Sequence, residues 1–217
     1  FVGSRGLGDV YKRQGGGSFS LQAPSSSSNN RVFTLPDSAD ATLLTSTASL
    51  GKILQVKTNT TRDSTGSVHC NPTKTYIDIP DQNVTITPSA ASSKIKISFH
   101  QFGETGSSEH VYSFKIKRAI SGGATTIISA PSSGNKSDVL TQPTTVYYAA
   151  DNNSTPSVAH LSNYLDSPNT TSAITYTVQI GNHESTGYYY YNRTITTNDA
   201  VSSELGLSWI TVEEVAA

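Results

Sequence analysis

The feature that most constrains this chain is the recurrence of short segments in which apolar and polar residues alternate with a period of two. The clearest segments lie at residues 94–100, 111–117, 173–180 and 208–215. Because successive side chains of a β-strand point to opposite sides, each of these segments gains one apolar face and one polar face. The pattern is typical of antiparallel sheets that bury one face and expose the other.

The composition around these segments supports the same interpretation. β-Branched and aromatic residues are frequent within the apolar runs, while Ser, Asn and Gly cluster between them and favour turns. No segment of ten or more residues carries the apolar stripe of an amphipathic helix. Two stacked sheets would bury their apolar faces against each other. The sequence therefore predicts an all-β fold, an antiparallel β-sandwich that is jelly-roll-like.

The alternation also predicts which side chains fill the core between the sheets. The apolar faces of the four clearest segments carry Ile95, Ile97 and Phe99; Tyr112, Phe114 and Ile116; Ile174, Tyr176, Val178 and Ile180; and Ile210 and Val212. Shorter strands are expected at residues 52–57, 76–79 and 84–87. The turn-forming stretch 80–83 is expected to end the second of these shorter strands.

The N-terminal residues resemble something other than a protein motif. Residues 4–14, SRGLGDVYKRQ, match codon for codon the translation of a transposase adaptor that is ligated to DNA fragments in sequencing libraries. The chain also contains no methionine. We therefore expect residues 1–14 to be a disordered sequencing artefact, and we expect the natural N-terminus to be missing.

Residues 15–50 differ from the rest of the chain because their apolar pieces are short and are separated by polar and turn residues. Pieces of this length cannot form a core by themselves. We expect this extended N-terminal segment to be a linker, or a fibre-shaft segment whose strands pair with identical copies. Residues 51–217 are then expected to form a β-sandwich head domain.

Charge and cysteine content bear on the partners of the chain. A formal net charge of −1 and a pI near 6.6 provide no electrostatic attraction to nucleic acid or to anionic membranes. No apolar run approaches the roughly 20 residues that span a bilayer. Cys70 is the only cysteine, so neither an intrachain disulfide nor a cysteine-based zinc site is expected. We expect no nucleic-acid partner and no membrane insertion.

Motifs for catalysis and for metal binding are not found in the sequence. The five histidines show no H-x-x-x-H spacing, and His69 is adjacent to Cys70, so a strand would point the two side chains to opposite sides. There is no G-x-S-x-G motif. Glu213 and Glu214 are also adjacent, so one of them is expected to point inward and pair with Lys or Arg. The sequence predicts a non-enzymatic protein with no catalytic residues, cofactor or metal.

The most informative local feature is the run Tyr188, Tyr189, Tyr190 and Tyr191, which follows Gly187. On a strand, the first and third of these tyrosines share one face, and the second and fourth share the other. One pair can enter the core, while the other must cover something amphipathic, since tyrosine has an apolar ring with a polar tip. Three interpretations stay open: packing on both faces of a sandwich strand, a subunit interface, or direct contact with a glycan.

Several stretches of the chain share their strand edges and turns with a known family. They are residues 31–37, 50–56, 84–89 with 92–95, 165–168 leading to 175–179, and 210–217. Together they resemble a recurrent C-terminal module of tail-fibre and other virion proteins from marine bacteriophages. The resemblance implies a homotrimeric fibre tip, with a shaft-like N-terminal part and a β-sandwich head that touches the host surface.

From the resemblance we expect a non-enzymatic phage tail-fibre or related virion structural protein, located extracellularly in the virion tail. Its expected partners are a bacterial cell-surface glycan or protein, other virion tail proteins and further copies of itself in a homotrimer. The loop at 121–135 and the tyrosine run depart from the family pattern and are expected to carry host specificity. Two alternatives stay open: a carbohydrate-binding or adhesin module of a secreted bacterial protein, and a fibre-borne depolymerase with paired carboxylates in a groove.

Overall fold

A computed structural model describes most of the C-terminal three quarters of the chain. The described residues are 53–61, 65–72, 75–106, 111–131, 133–134, 136–146, 155–184, 186–197, 199 and 203–217. The predictions for residues 1–14 and 15–50 lie outside these ranges.

Within these ranges the chain forms β-strands and no helix. The strands are β1 (Ile53–Thr61), β2 (Gly66–Cys70), β3 (Ile77–Ile86), β4 (Lys94–Thr105), β5 (Tyr112–Ile120), β6 (Thr125–Ile128), β7 (Thr144–Thr145), β8 (Ser157–Asp166), β9 (Ile174–Asn182), β10 (Gly187–Tyr191) and β11 (Ser208–Val215). Among the residues that the structure describes, none belongs to a helix long and apolar enough to cross a membrane.

The strands form two antiparallel sheets. In the large sheet β4 is central: β11 and β10 pair with successive parts of one of its edges, and β8 pairs with the other edge. Outside these strands, β1 pairs with β11, β2 with β10, and β7 with β8. The small sheet has the order β3-β9-β5-β6. The alternation of the sequence could not predict this order, because it specifies the faces of a strand and not its neighbours.

The inner faces of the two sheets pack against each other and form the core. Every side chain that the alternation places on an apolar face is buried, which confirms those predictions. Across the two sheets, the ring centroids of Phe99 in β4 and Phe114 in β5 lie 6.3 Å apart. Removing these faces from water supplies the main favourable free energy of such a fold. The fold is the predicted all-β sandwich of antiparallel sheets.

One predicted strand boundary is wrong. Residues 80–83 do not end a strand, because β3 continues through them to Ile86. Asp81 takes a positive φ of 61°, and the pairing with β9 shifts its register between Asp78 and Asn83. β3 is an edge strand of the small sheet, where an irregularity accommodates Pro80, whose nitrogen has no hydrogen to donate. The turn-forming residues therefore produce a bulge within the strand.

Four strands of the structure give no clear signal in the sequence. β2 has five residues, β6 has four and β7 has two, and β6 lies inside the stretch 121–135 that is expected to be a loop. β8 has ten residues, but its pairing with β4 shifts between Ile97 and Phe99, which interrupts the period of two. Strands this short or irregular do not produce a recognisable alternation.

Two carboxylates point inward at one end of the large sheet. Both lie opposite Ile95 of β4: Asp166 from β8 on one side, and Glu214 from β11 on the other. Asp166 accepts hydrogen bonds from Arg118 Nη1 at 2.7 and 2.9 Å and from the Tyr176 hydroxyl at 2.8 Å. Since Arg118 and Tyr176 belong to the small sheet, this ion pair joins the two sheets.

Glu214 is the inward member of the acidic pair, but its hydrogen-bond donors are neutral groups and not Lys or Arg. Its carboxylate accepts bonds from Gln55 Nε2 at 2.6 Å and from the backbone nitrogen and the hydroxyl of Ser89 at 2.7 Å each. Burial alone would raise the pKa of Glu214, but these hydrogen bonds outweigh burial and lower the pKa to about 2. The outward Glu213 forms the ion pair with Lys96.

We expect Glu214→Gln to lower the free energy of unfolding by about 2 kcal/mol at neutral pH, because a neutral amide replaces an ionised acceptor. Ionised Glu214 stabilises the fold above the ordinary carboxyl pKa of 4.5, and this contribution is lost as the pH falls through about 2. The difference in stability between the two proteins should therefore be constant at neutral pH and should narrow as the pH falls below 4.5. Urea denaturation across this range measures it.

Glu213→Gln is the matched control, because Glu213 lies on the outer face of the sheet and its ion pair with Lys96 is partly exposed to solvent. This substitution should change the free energy of unfolding by less than about 1 kcal/mol. A Glu214→Gln protein as stable as the unchanged protein at neutral pH would contradict the role assigned to the buried carboxylate.

Candidate functional site

The tyrosine run forms strand β10, and its second and fourth members point into the sandwich. Tyr189 is completely buried, and its ring meets Phe114 edge-on with 5.6 Å between centroids. Tyr191 is buried against β2, where a methyl group at Gly66 would come within 2.8 Å of its ring carbon Cζ. A methyl group at Gly103 of β4 would overlap the Tyr189 phenol. Glycine at these two positions leaves the space that the two rings fill.

The first and third tyrosines lie on the outer face of the large sheet, the side away from the core. Tyr188 is 48% exposed, and its ring centroid lies 4.8 Å from that of His69 and 6.2 Å from that of Tyr190. The guanidinium carbon of Arg193 lies 4.7 Å above the centre of the Tyr190 ring. We call this group, His69, Tyr188, Tyr190 and Arg193, the aromatic surface.

The backbone around the aromatic surface is held on both sides of β10. Tyr188 pairs with His69 of β2, so that the two rings share one face of the sheet. The carbonyl of Tyr188 accepts hydrogen bonds from the Gly106 nitrogen at 2.7 Å and from the Tyr112 hydroxyl at 3.0 Å. The exposed ring therefore extends from a backbone that is fixed by the core of the sandwich.

Arg193 also borders a cleft next to the aromatic surface. The cleft has a volume of about 270 Å³ and is lined by Arg193, Thr196, Thr197, Asp199, Ser203, Glu204 and Leu205. Arg193 Nη1 donates hydrogen bonds to the carbonyl groups of Thr194 and Ile195 at 2.9 Å each, which fixes the guanidinium. Arg193 therefore belongs both to the aromatic surface and to the lining of the cleft.

A buried carboxylate anchors the segment that forms this cleft. Glu104 of β4 accepts hydrogen bonds from the backbone nitrogen atoms of Ile195 at 2.7 Å and Thr155 at 3.0 Å. Its side chain lies opposite Tyr190 in the pairing of β10 with β4. Glu104 is a positioning residue, since it connects the central strand to the irregular segment that carries Arg193.

A second row of aromatic side chains crosses the outer face along another part of β4. Trp209 of β11 and His160 of β8 both lie opposite His100. The Trp209 and His100 rings are stacked with 6.2 Å between centroids, and the two histidine rings lie 4.7 Å apart. Burial and the neighbouring His160 lower the pKa of His100. Both effects favour the neutral form of the His100 imidazole.

One serine contacts a histidine as a catalytic nucleophile would, but it is inaccessible. Ser113 Oγ lies 2.7 Å from His183 Nε2 and 2.6 Å from the Tyr76 hydroxyl oxygen. Ser113 is completely buried, so a substrate cannot reach its oxygen without a rearrangement of β5. The contact is a hydrogen-bonded network on the small sheet.

The structure also places the remaining residues that the sequence singled out for metal chemistry. Cys70 is buried and His69 is exposed, which confirms that the two side chains point to opposite sides. Burial raises the pKa of the Cys70 thiol to about 12. Across the described part of the chain, no three or more His, Cys, Asp or Glu side chains are grouped closely enough to hold a metal ion.

Sequence reasoning identified the tyrosine run but missed three parts of the site. His69 is brought beside Tyr188 by strand pairing, and no local pattern indicates that pairing. Arg193 follows the run directly, so its position above the Tyr190 ring could have been proposed from sequence spacing. The cleft is formed by an irregular segment, and irregular segments carry no periodic signal.

The different environments of adjacent tyrosines predict different effects on stability. Tyr189→Ala should lower the free energy of unfolding by about 3–5 kcal/mol, since it leaves a cavity against Phe114. Tyr188→Ala should change it by no more than about 0.5 kcal/mol, because the ring lies at the surface. Urea denaturation of both proteins measures the difference, with Tyr189→Leu as a milder variant if the alanine variant does not fold. Equal losses at the two positions would contradict the register of β10.

Comparison with known proteins gives no information on the function of this chain. No protein-family model matches the sequence, and no curated protein gives a significant match to it.

Proposed function

We propose that this chain is the host-surface-binding head of a bacteriophage tail fibre or related virion structural protein, and that it binds a bacterial glycan without cleaving it. The observation that carries the proposal is the aromatic surface, whose Tyr188 ring is 48% exposed on a rigid sheet. The resemblance of the sequence to marine phage virion proteins supports the virion part of the proposal.

The chemistry of the aromatic surface suits a carbohydrate. The C–H groups of a sugar ring form a weakly apolar face that stacks on an aromatic ring, while its hydroxyl groups require hydrogen-bond partners. Tyr188, Tyr190 and His69 supply the rings. Arg193, Asp199 and the threonine hydroxyl groups of the adjoining cleft supply donors and acceptors. A few convergent polar groups beside apolar rings are typical of small-molecule binding sites.

The proposed homotrimer is supported by apolar side chains on another part of the large sheet. Ile53, Leu54 and Val56 of the edge strand β1 are between 40% and 53% exposed, and Leu165 of β8 is 55% exposed. Val56 and Leu165 lie on the same row of the outer face, on either side of the Glu213–Lys96 ion pair. A second copy of the chain would cover this surface, which we call the apolar edge, and three copies would increase the avidity of weak glycan sites.

The glycan proposal predicts the behaviour of two substitutions at Tyr188. The probe is a panel of purified bacterial surface polysaccharides, and affinity for the best binder is measured by titration calorimetry. Tyr188→Ala should weaken binding about fivefold, because a stacked ring contributes about 1 kcal/mol. Tyr188→Phe should retain most of the affinity, because it keeps the ring. Ile127→Ala, which truncates an exposed side chain on the small sheet, is the control and should leave binding unchanged.

Equal affinity of the Tyr188→Ala protein and the unchanged protein would overturn the assignment of the site, as would failure to bind any polysaccharide in the panel. The same assay tests the depolymerase alternative, which is favoured by the presence of two carboxylates, Asp199 and Glu204, in one cleft. If the unchanged protein shortens the polysaccharide and the Glu204→Gln protein does not, the depolymerase alternative would replace the non-enzymatic proposal.

The trimer proposal predicts a molar mass of about three times the 23.0 kDa of the chain in light scattering at micromolar concentration. Val56→Asp should shift the mass toward that of the monomer, because a charge on the apolar edge would be buried without a partner. A protein that is monomeric at this concentration and still binds glycan would favour the carbohydrate-binding or adhesin module instead.

A further inference from the structure

His100 and His160 face each other across the β4–β8 pair on the outer face of the large sheet. Their Nδ1 atoms lie 3.1 Å apart. Two nitrogen atoms bound to one metal ion at 2.0–2.1 Å, with an angle between tetrahedral and square, lie about 2.9–3.4 Å apart. The two atoms therefore already have the separation of neighbouring ligands on a single metal ion.

A β-bulge in β8 creates this juxtaposition. Ile97 lies opposite Tyr164 and Phe99 lies opposite Leu161, so β8 contains one more residue than β4 between these pairs. An unbulged ladder would place Leu161 opposite His100 and would turn His160 away from it. The bulge is a defined feature, since Asn163 takes a positive φ of 58° and its nitrogen donates a hydrogen bond to a β4 side chain.

We propose that His100 and His160 form a two-imidazole binding site for a divalent transition metal ion. Imidazole nitrogen suits Cu²⁺, Ni²⁺ and Zn²⁺, and the affinity of such ligands is highest for Cu²⁺. When the rings are hydrogen-bonded to each other, one Nδ1 carries the shared proton. Metal binding needs the Nδ1 lone pair of each ring, so the shared proton moves to Nε2 of the ring that carried it.

The remaining coordination positions of the ion would be filled from outside the chain. The described residues offer no third His, Cys, Asp or Glu ligand beside the pair. His160 is exposed, so water or an external donor can approach the ion from the solvent side. A site of two ligands is expected to bind more weakly and exchange faster than a closed four-ligand structural site. This site is independent of the aromatic surface and of the proposed glycan.

Trp209 provides a direct reporter of the site. It is the only tryptophan of the chain, and its ring is stacked on the His100 ring with an interplanar angle of 19°. A paramagnetic Cu²⁺ ion bound to His100 would lie close enough to the indole to quench its fluorescence. Emission from Trp209 therefore responds to an ion at this site, and the variants below show whether that ion is held by His100 and His160.

The experiment titrates the full chain with CuCl₂ in a non-coordinating buffer at pH 7.5 while Trp209 emission is recorded. We expect saturable quenching with one ion per chain. His160→Ala should weaken the apparent affinity for Cu²⁺ at least tenfold, and because His160 is exposed, the variant is expected to fold. His100→Ala should weaken the affinity by the same factor. His69→Gln removes an imidazole from another part of the outer face and should leave the titration unchanged.

Electron paramagnetic resonance of the Cu²⁺ complex provides a second readout that does not depend on a variant. Hyperfine splitting from two equivalent imidazole nitrogen atoms is expected in the unchanged protein, and it should be lost in His160→Ala. Quenching that does not saturate, or that is equal in the unchanged protein and His160→Ala, would overturn the proposal. A spectrum without nitrogen splitting would overturn it as well.

Discussion

The burial of Tyr189 and Tyr191 is the constraint on which the outer surface of the molecule depends. Because side chains alternate along a strand, fixing these two rings in the core fixes Tyr188 and Tyr190 on the outer face. A shift of one residue would exchange the two pairs and drive Tyr188 into the core. Gly66 and Gly103 favour the observed register, since a Cβ at either position would overlap one of the inward rings.

The two sheets are joined by polar contacts as well as by the apolar core. Asp166 is bound to Arg118 and Tyr176 across the sheets, and Glu214 is bound by Gln55 and Ser89. Buried charges of this kind are tolerated only where hydrogen bonds replace the lost water. We interpret them as contacts that hold one end of the sandwich in a defined register, while Glu104 does the same for the segment beside the aromatic surface.

The sequence predicted the fold class and the core because alternation is a local property of each strand. It could not predict β8, whose bulge breaks the period of two, or the continuation of β3 through Pro80. The tyrosine run was recognised as informative, but which pair points inward was not predictable, since both faces carry the same residue type. That choice depends on Phe114, Gly66 and Gly103, which strand pairing and sheet packing bring to β10. His69 and the cleft were missed for the same reason.

The most direct test of the register of β10 is nitration of the tyrosine rings followed by peptide mass spectrometry that locates each modified residue. Nitration requires an accessible ring in its ionised form, and burial both shields the Tyr189 ring and raises the pKa of its hydroxyl. Among the four tyrosines of β10, the structure predicts that Tyr188 is modified first and that Tyr189 stays protected until the protein unfolds. The glycan proposal adds that a bound glycan should slow modification of Tyr188. If Tyr189 or Tyr191 were modified as fast as Tyr188 in the folded protein, the register assigned to β10 would be wrong.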